Sequence, residues 1–417
     1  MPPVASLDVF YGEELVGTLH DATPLAFEYS PAWLTRTSPM AVATIAPAAG
    51  RNDSAAVQAF FENLLPEGEL RQYLVLRNKA STRFSLLHEV AGDTAGGFVV
   101  VPGGQVPGAP SYEATSWQAL AGLLDGKSAA AIDIKGRGAR VSLAGAQDKA
   151  GIAIFDDGSP SLPRGTAPST HILKPDIKRL SKVWHSAANE AIIMLTAANC
   201  GLPTAEVFYE RHTRACVVRR FDRIARADGT LGRLIQYDLC QLAGMVSEKK
   251  YEKEGGPGIA ACAEMIRAYS TQPAVDLRAF VSWILFNLYV GNNDSHAKNL
   301  AMVEMPGGGV ALAPFYDLMC TRLYAGLSQQ FAFAVGGCVR PGSISRVHLD
   351  AMAAELHMRP QFVARLALEL AQAMPSAVEA AVHMVSPLLP HSAKTLAGRL
   401  ANFVLSTTAK LAARIEQ

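Results

Sequence analysis

The sequence predicts an α+β protein, with a β-rich N-terminal part, a mixed sheet near the middle and a mostly α-helical C-terminal part. Three observations carry that class. Residues 4–30 alternate apolar and polar side chains in short runs separated by turn residues, the period of strands with one buried face. The stretch from about 139 to 223 interleaves short apolar runs with one helical window. From Asp238 onward apolar residues recur at helical spacing almost to the end of the chain.

Taken in order, Leu7-Asp-Val-Phe-Tyr, Leu15-Val-Gly-Thr-Leu and Leu25-Ala-Phe-Glu-Tyr read as a small antiparallel sheet, with Gly12-Glu-Glu as its first turn. Asp53 to Leu65 has helical spacing and stops at Pro66-Glu-Gly. A second helix is expected at Ser85-Leu-Leu-His-Glu-Val, and Gly92-Asp-Thr-Ala-Gly-Gly leads into the strand Phe98-Val-Val-Val. The run Pro102-Gly-Gly-Gln-Val-Pro-Gly-Ala-Pro is the clearest linker. Beyond it, residues 139–155 read as strand, small-residue turn and strand, and Thr170-His-Ile-Leu-Lys-Pro as a strand ending at Lys174. The helix that begins Ala187-Ala-Asn-Glu follows, and Val207-Phe-Tyr, Ala215-Cys-Val-Val and Arg220-Phe-Asp-Arg are expected to complete the mixed sheet. Long amphipathic windows such as Pro360 to Ala371 each bury one stripe.

Bulk composition narrows the function classes. The chain has 417 residues, enough for two or three units with a large core. Thirty-eight Lys and Arg against 37 Asp and Glu give a formal net charge of +1, so no global field favours nucleic acid or an acidic surface. The six cysteines are dispersed without a C-x-x-C pair and read as reduced core thiols. No basic segment with a long apolar run opens the chain and no stretch of about 18 uninterrupted apolar residues occurs, so the expectation is a cytoplasmic protein with no membrane contact.

The chemistry concentrates in residues 287–299, where an apolar helix gives way to Gly291-Asn-Asn-Asp-Ser-His-Ala-Lys-Asn. Asp294 and Asn299 have the spacing by which protein kinase catalytic loops set a base carboxylate and a metal-binding amide at one phosphate. Asp317, in Ala-Pro-Phe-Tyr-Asp, falls where such an enzyme places a second magnesium ligand. Phosphoryl transfer needs these residue types, since it asks for oxygen ligands to Mg²⁺ and an acceptor for the hydroxyl proton. Taken alone, Gly-Asn-Asn-Asp is also an ordinary turn. Upstream, Lys174 could reach nucleotide phosphates with Glu190 holding it, or could simply end a strand while Glu190 faces solvent. His296 and Lys298 have the same two readings, phosphate contact or loop hydrogen bonding and solvation. No Walker A loop, full G-x-G-x-x-G, H-E-x-x-H or G-x-S-x-G is present, which removes the P-loop, zinc-hydrolase and serine-esterase classes.

The order of these parts resembles the HipA family of bacterial serine/threonine kinases, the toxin halves of type II toxin–antitoxin modules. The resemblance runs through Phe60-Phe-Glu-Asn-Leu-Leu-Pro-Glu-Gly, Leu86-Leu-His-Glu-Val, Ser142-Leu-Ala-Gly-Ala-Gln-Asp-Lys, Thr170-His-Ile-Leu-Lys-Pro, Asn189-Glu, Arg220-Phe-Asp-Arg, Tyr237-Asp-Leu-Cys-Gln, Gly255-Gly-Pro-Gly-Ile, Asn293-Asp-Ser-His-Ala-Lys-Asn-Leu and Pro314-Phe-Tyr-Asp. It implies a HipA-like kinase fold: an N-terminal α/β part with a small β-rich subdomain, a mostly helical C-terminal part, and the nucleotide between them. The expected division is 1–105 for the N-terminal subdomain, 106–236 for the nucleotide-binding α/β part and 237–417 for the helical lobe with the catalytic loop.

Carried over by position, the resemblance implies Asp294 as catalytic base and Asn299 and Asp317 as Mg²⁺ ligands. It makes Ala144, Gly145, Ala146, Gln147, Asp148 and Lys149 the phosphate loop and Lys174 the nucleotide-contacting lysine. Arg219, Arg220 and Phe221 fall on the adenine hinge, and His296, Ala297, Lys298, Asn299 and Tyr316 near the phosphates. Ser142 matches an autophosphorylated serine whose modification would disfavour ATP by adding charge at a phosphate site. Asp317 is followed by Leu-Met instead of Phe-Gly, so an ordinary activation-segment switch is not implied. The implied partners are a HipB-like helix-turn-helix antitoxin, operator DNA mainly through that antitoxin, and a protein substrate in translation such as an aminoacyl-tRNA synthetase. A small-molecule kinase and a noncatalytic co-repressor are the rival readings.

Overall fold

The computed structural model describes residues 6–36, 41–67, 71, 75, 82–90, 92–125, 149–178 and 180–417. The chain forms two compact units: residues 1–173, 220–249 and 303–306 make the first, and 174–219, 250–302 and 307–417 the second.

In the first unit, β1 (Ser6–Tyr11), β2 (Glu14–His20), β3 (Ala26–Tyr29), β4 (Arg51–Asn52) and β5 (Phe98–Pro102) form a sheet in the order β4-β3-β2-β1-β5. Leu7, Val9, Leu19 and Phe27 are buried, as the alternation in the sequence requires, and Val16 is buried where the β1–β2 register shifts opposite Val9 and Phe10. Helix α1 (Ala55–Asn63) starts after Ser54 and adds Phe60 and Phe61, which meet edge to face at 5.0 Å. Gly17 is needed where it stands, because a Cβ there would lie 2.3 Å from the Glu28 carbonyl and 2.5 Å from the Phe27 ring. Helix α2 (Arg83–Val90) leads to β5, and α3 (Trp117–Asp125) follows β6 (Ser111–Ala114). Strand β8 (Pro160–Arg164) pairs antiparallel with β6 and with β7 (Ala150–Ile154), and β7 pairs antiparallel with β9 (His171–Lys174).

The second unit is mostly helical. Helix α4 (Ser186–Asn199) follows β9, and β10 (Val207–Glu210) and β11 (Ala215–Arg219) make an antiparallel hairpin. Then come α5 (Ile259–Tyr269), α6 (Pro273–Val290), α7 (Arg346–Glu355), α8 (Pro360–Val385) and α9 (His391–Glu416). Helix α8 packs on α4, α6, α7 and α9, and buries a stripe that includes Val363, Leu366, Leu370, Met374, Val378 and Ala381. Helix α6 is apolar on nearly every side, from Phe280 to Val290, because it is the core element of this unit. By length and composition alone it is long and apolar enough to cross a membrane, yet 67% of it is buried inside the protein. Pro273 opens it and Gly291 ends it, with φ at +70° and its N–H donated to the Asn287 carbonyl.

The sequence places Arg220-Phe-Asp-Arg in a sheet, but Arg220 lies outside any strand, residues 221–222 form a turn and only Arg223 enters a short strand (Arg223–Ala225). Its charges explain the difference. Within the first unit, fully buried Asp93 accepts from Arg223 at 2.7 Å, Arg220 and Arg233 at 3.2 Å, and the Ser169 hydroxyl at 2.6 Å. Asp222 accepts from Arg220 at 2.8 and 2.9 Å and from the Gly96 N–H at 2.7 Å. Burial alone would raise the Asp93 carboxyl, but Arg223, Arg220 and Arg233 hold it well below the usual carboxylate range. The Arg223 guanidinium is lowered to about 10 by burial and by the neighbouring Arg220 charge.

Removing one member of this cluster strands buried charge. Asp93→Asn is expected to cost about 3–5 kcal/mol in urea unfolding followed by tryptophan fluorescence; an unchanged transition would mean that the pairing does not support the unit. A group whose pKa is depressed on folding stabilises above its unfolded value and loses that contribution as pH falls towards its folded one. Wild-type stability should therefore decline from about pH 4 downward, and the same acid series on Asp93→Asn should show a flatter decline.

Candidate active site

Lys174 is the last residue of β9, and its side chain is 5% exposed. The ammonium lies 2.5 Å from Glu190 Oε1 and 2.8 Å from Asp317 Oδ1. Glu190 projects from α4, whose N-terminal half is buried, and its own side chain is 2% exposed. Glu190 therefore does not face solvent, and Lys174 does more than end a strand. A buried ammonium without partners would lose its proton, but Asp317 and Glu190 outweigh the burial and hold Lys174 well above its ordinary pKa. Glu190 and Lys174 in turn act on Cys216, whose thiol burial drives far above its usual value, so that thiol stays protonated.

Asp317 reaches this cluster from a backbone at φ +59°, a left-handed conformation that a non-glycine residue adopts only where its surroundings hold it. The holder is Asn189, the neighbour of Glu190. Its amide accepts the Cys320 N–H at 2.9 Å and donates to the Cys320 carbonyl and the Tyr324 hydroxyl at 3.0 Å each. Two adjacent residues of α4 thus fix both the lysine and the segment that carries Asp317.

The loop after α6 is built as tightly. Asn292 N–H donates to the Asn287 carbonyl at 2.9 Å, and Asn293 N–H to the Thr321 hydroxyl at 2.8 Å. The Asn299 amide donates to the backbone carbonyl of Asp294 at 3.1 Å, which leaves its carbonyl oxygen as the group to offer a cation. Asn292, Asn293, Ser295, His296, Ala297, Lys298 and Asn299 are buried, whereas Asp294 is exposed. Buried His296 and Lys298 therefore do not fit the solvated reading. Tyr316 donates to the Lys298 carbonyl at 3.1 Å and brings the residue before Asp317 against the residue before Asn299. Asp317 and Asn299 carry hard oxygen donors, the ligand type that Mg²⁺ takes. Among the described residues no group of three or more His, Cys, Asp or Glu is placed to hold a metal by itself.

Tyr251 is a residue that sequence reasoning passed over. Its hydroxyl donates to the Asp294 carboxylate, and its ring meets His296 edge to face at 5.0 Å. The one available signal was its position just before Gly255-Gly-Pro-Gly. Glu252, the next residue, accepts from the Ala334 N–H at 2.7 Å and anchors that segment.

Arg219 is exposed and pairs with Glu206 at 3.0 Å. The Arg220 guanidinium is committed to Asp93, Asp222 and the Thr94 carbonyl, so only its backbone is left to meet a base. Phe221 is half-buried and Lys149 is buried at the start of β7. Ser142, Ala144, Gly145, Ala146, Gln147 and Asp148 lie outside the described residues.

Known proteins similar to this chain include members of the HipA family. Residues 7–101 match the HipA N-terminal domain and residues 141–378 the HipA-like C-terminal domain. Y4mE of Sinorhizobium fredii, for which a kinase activity is proposed, is 32% identical over 95% of this chain and 98% of its own. The serine/threonine-protein kinase toxin HipA of Shewanella oneidensis is 30% identical over 92% of this chain and 90% of its own. A solved complex of Shewanella oneidensis HipA, HipB and operator DNA superposes with a TM-score of 0.82 at 25% identity, covering 98% of both chains. The α+β class and the family resemblance drawn from the motifs are borne out.

The Lys174 cluster makes a chemical prediction. Its amine should resist acetic anhydride at pH 9, whereas Glu190→Gln, which removes one of the two carboxylates, should speed labelling by about tenfold for each pKa unit lost. Peptide mass spectrometry reads the result, and equal labelling in both proteins would show that burial, not pairing, protects the amine.

Proposed function

The chain belongs to the HipA family of serine/threonine-protein kinase toxins, and on that premise we propose that it transfers the γ-phosphoryl group of ATP to a serine or threonine of a protein in the translation apparatus. An aminoacyl-tRNA synthetase is the proposed target, with growth arrest as the outcome. The observation that carries the kinase chemistry is the Lys174–Glu190–Asp317 cluster combined with the Asp294–Asn299 loop. The proposal includes the division into 1–105, 106–236 and 237–417 and a cytoplasmic location.

Within this reading each residue has a task set by its surroundings. Lys174, kept charged and oriented by Glu190, meets nucleotide phosphate. The Asp317 side chain is 41% exposed against 2% for Glu190, so Asp317 can leave the lysine while Glu190 keeps it. Asn299 and Asp317 would hold Mg²⁺, which would supply neutralisation of the phosphate charge. Exposed Asp294 takes the proton from the incoming hydroxyl. Tyr251 now donates to that carboxylate, and an acceptor serine has to displace its hydroxyl.

Partners follow from the Shewanella complex. A helix-turn-helix antitoxin of the HipB kind would bind this chain and carry it to operator DNA, and the net charge of +1 is consistent with DNA contact mainly through that partner. Self-inactivation by phosphorylation of Ser142 belongs to the same proposal.

Two measurements test it. Asp294→Ala should lower phosphoryl transfer about 10²–10⁴-fold while ATP binding persists; transfer at the wild-type rate would remove Asp294 from the mechanism. After incubation with ATP and Mg²⁺, the peptide containing Ser142 should gain one phosphate in the wild type and none in Asp294→Ala. No gain in a wild type that binds ATP would remove the self-inactivation step.

A further inference from the structure

Behind the end of α6, within the helical unit, lies a cavity of about 450 Å³. Arg322, Arg399, Lys410 and Arg414 line it, with the hydroxyls of Ser406 and Thr407, and no Asp or Glu takes part in the lining. None of the four cations has an ion-pair partner among the described residues. Three of the four are positioned by other contacts. Arg414 donates to the Ile344 carbonyl at 2.7 Å and to the Pro341 carbonyl at 3.2 Å. The Arg322 guanidinium stands 5.5 Å from the Phe403 ring, and that of Arg399 stands 5.1 Å from the Trp184 ring.

Like charges held together in this way raise the local potential. The Arg322 Nε–H is buried with no acceptor. Burial lowers the pKa of that guanidinium, and nearby Arg414 lowers it further against an opposing contribution from Cys320. A group carrying two negative charges and several acceptor oxygens would relieve the repulsion, and guanidinium groups bind such oxygens through paired N–H donors. The volume lies in the range of small-molecule sites, too small for a folded partner and ample for a diphosphate or a sugar phosphate.

The cavity is separate from the catalytic constellation but touches its support. The Arg322 N–H donates to the Gly291 carbonyl at 3.0 Å, and the Phe403 ring lies 2.6 Å from where a Gly291 Cβ would stand. Thr321, next to Arg322, is the residue whose hydroxyl receives the Asn293 N–H. Asp294, Asn299 and Asp317 are not in the lining.

We propose that this cavity is a binding site for a small phosphate-bearing anion, distinct from the nucleotide site, with Arg322, Arg399, Lys410 and Arg414 as the cationic lining. The phosphate can come free, as inorganic pyrophosphate, or on a sugar, as in ribose 5-phosphate, and the test separates these sources. Calorimetric titrations at low salt without Mg²⁺ should show the full-length protein binding at least one of them. In Arg399→Gln/Lys410→Gln, two exposed positions on one helix, affinity for that ligand should fall about tenfold or more, with ATP binding unchanged and the Lys410→Arg variant retaining it. Binding of pyrophosphate alone points to an inorganic ligand, and tighter binding of ribose 5-phosphate to a sugar phosphate. Equal affinity in wild type and double variant, or no binding of either probe at millimolar concentration, overturns the proposal.

Discussion

The helical unit depends on keeping one ammonium charged in a place without water. Lys174 Nζ is removed from solvent at a cost of several kcal/mol, and the carboxylates of Glu190 and Asp317 offset that cost. Those partners lie 16 and 143 residues away in sequence. Satisfying a single cation therefore ties the end of β9, the buried face of α4 and the segment after β-strand Val310–Leu312 to one point. Asn189 extends the same tie to Cys320 and Tyr324, which is why the left-handed backbone at Asp317 is tolerated.

Helix α6 supplies the complementary constraint. A helix apolar on almost every side has no freedom to slide or rotate within its core, so the point at which it ends is well defined. Gly291 ends it in a conformation that suits glycine, and Phe403 leaves no space there for a side chain. The loop that begins at Gly291 is buried at every residue from Asn292 to Asn299 except Asp294. Rigidity around one exposed carboxylate is what a proton acceptor needs, because the geometry then exists before the substrate arrives.

Much of this was legible in the chain. The alternation in residues 4–30 becomes β1, β2 and β3, and the window Asp53–Leu65 becomes α1 with its start and stop shifted by two residues. The helix read from Ala187 starts at Ser186. Arg220-Phe-Asp-Arg was not legible: it reads as completing the mixed sheet, whereas its conformation is set by a carboxylate 127 residues earlier in the chain. Asp93 itself stands in a glycine-rich stretch that reads as a loop, and nothing local marks it as the centre of three guanidinium groups. Tyr251 was missed for the same reason, since its contact with Asp294 spans 43 residues.

The division is therefore one of range. By itself the sequence determined what depends on neighbours within a few residues: the periodicity of strands and helices, the breaks at glycine and proline, and the order in which Lys174, Glu190, Asp294, Asn299 and Asp317 occur. Tertiary structure alone decided which charges lose water together, because desolvation is set by everything that packs around a group. It chose Lys174 with Glu190 and Asp317 over three solvated side chains, committed the Arg220 guanidinium to Asp93 and Asp222, and set four cations around a cavity with no acid among them.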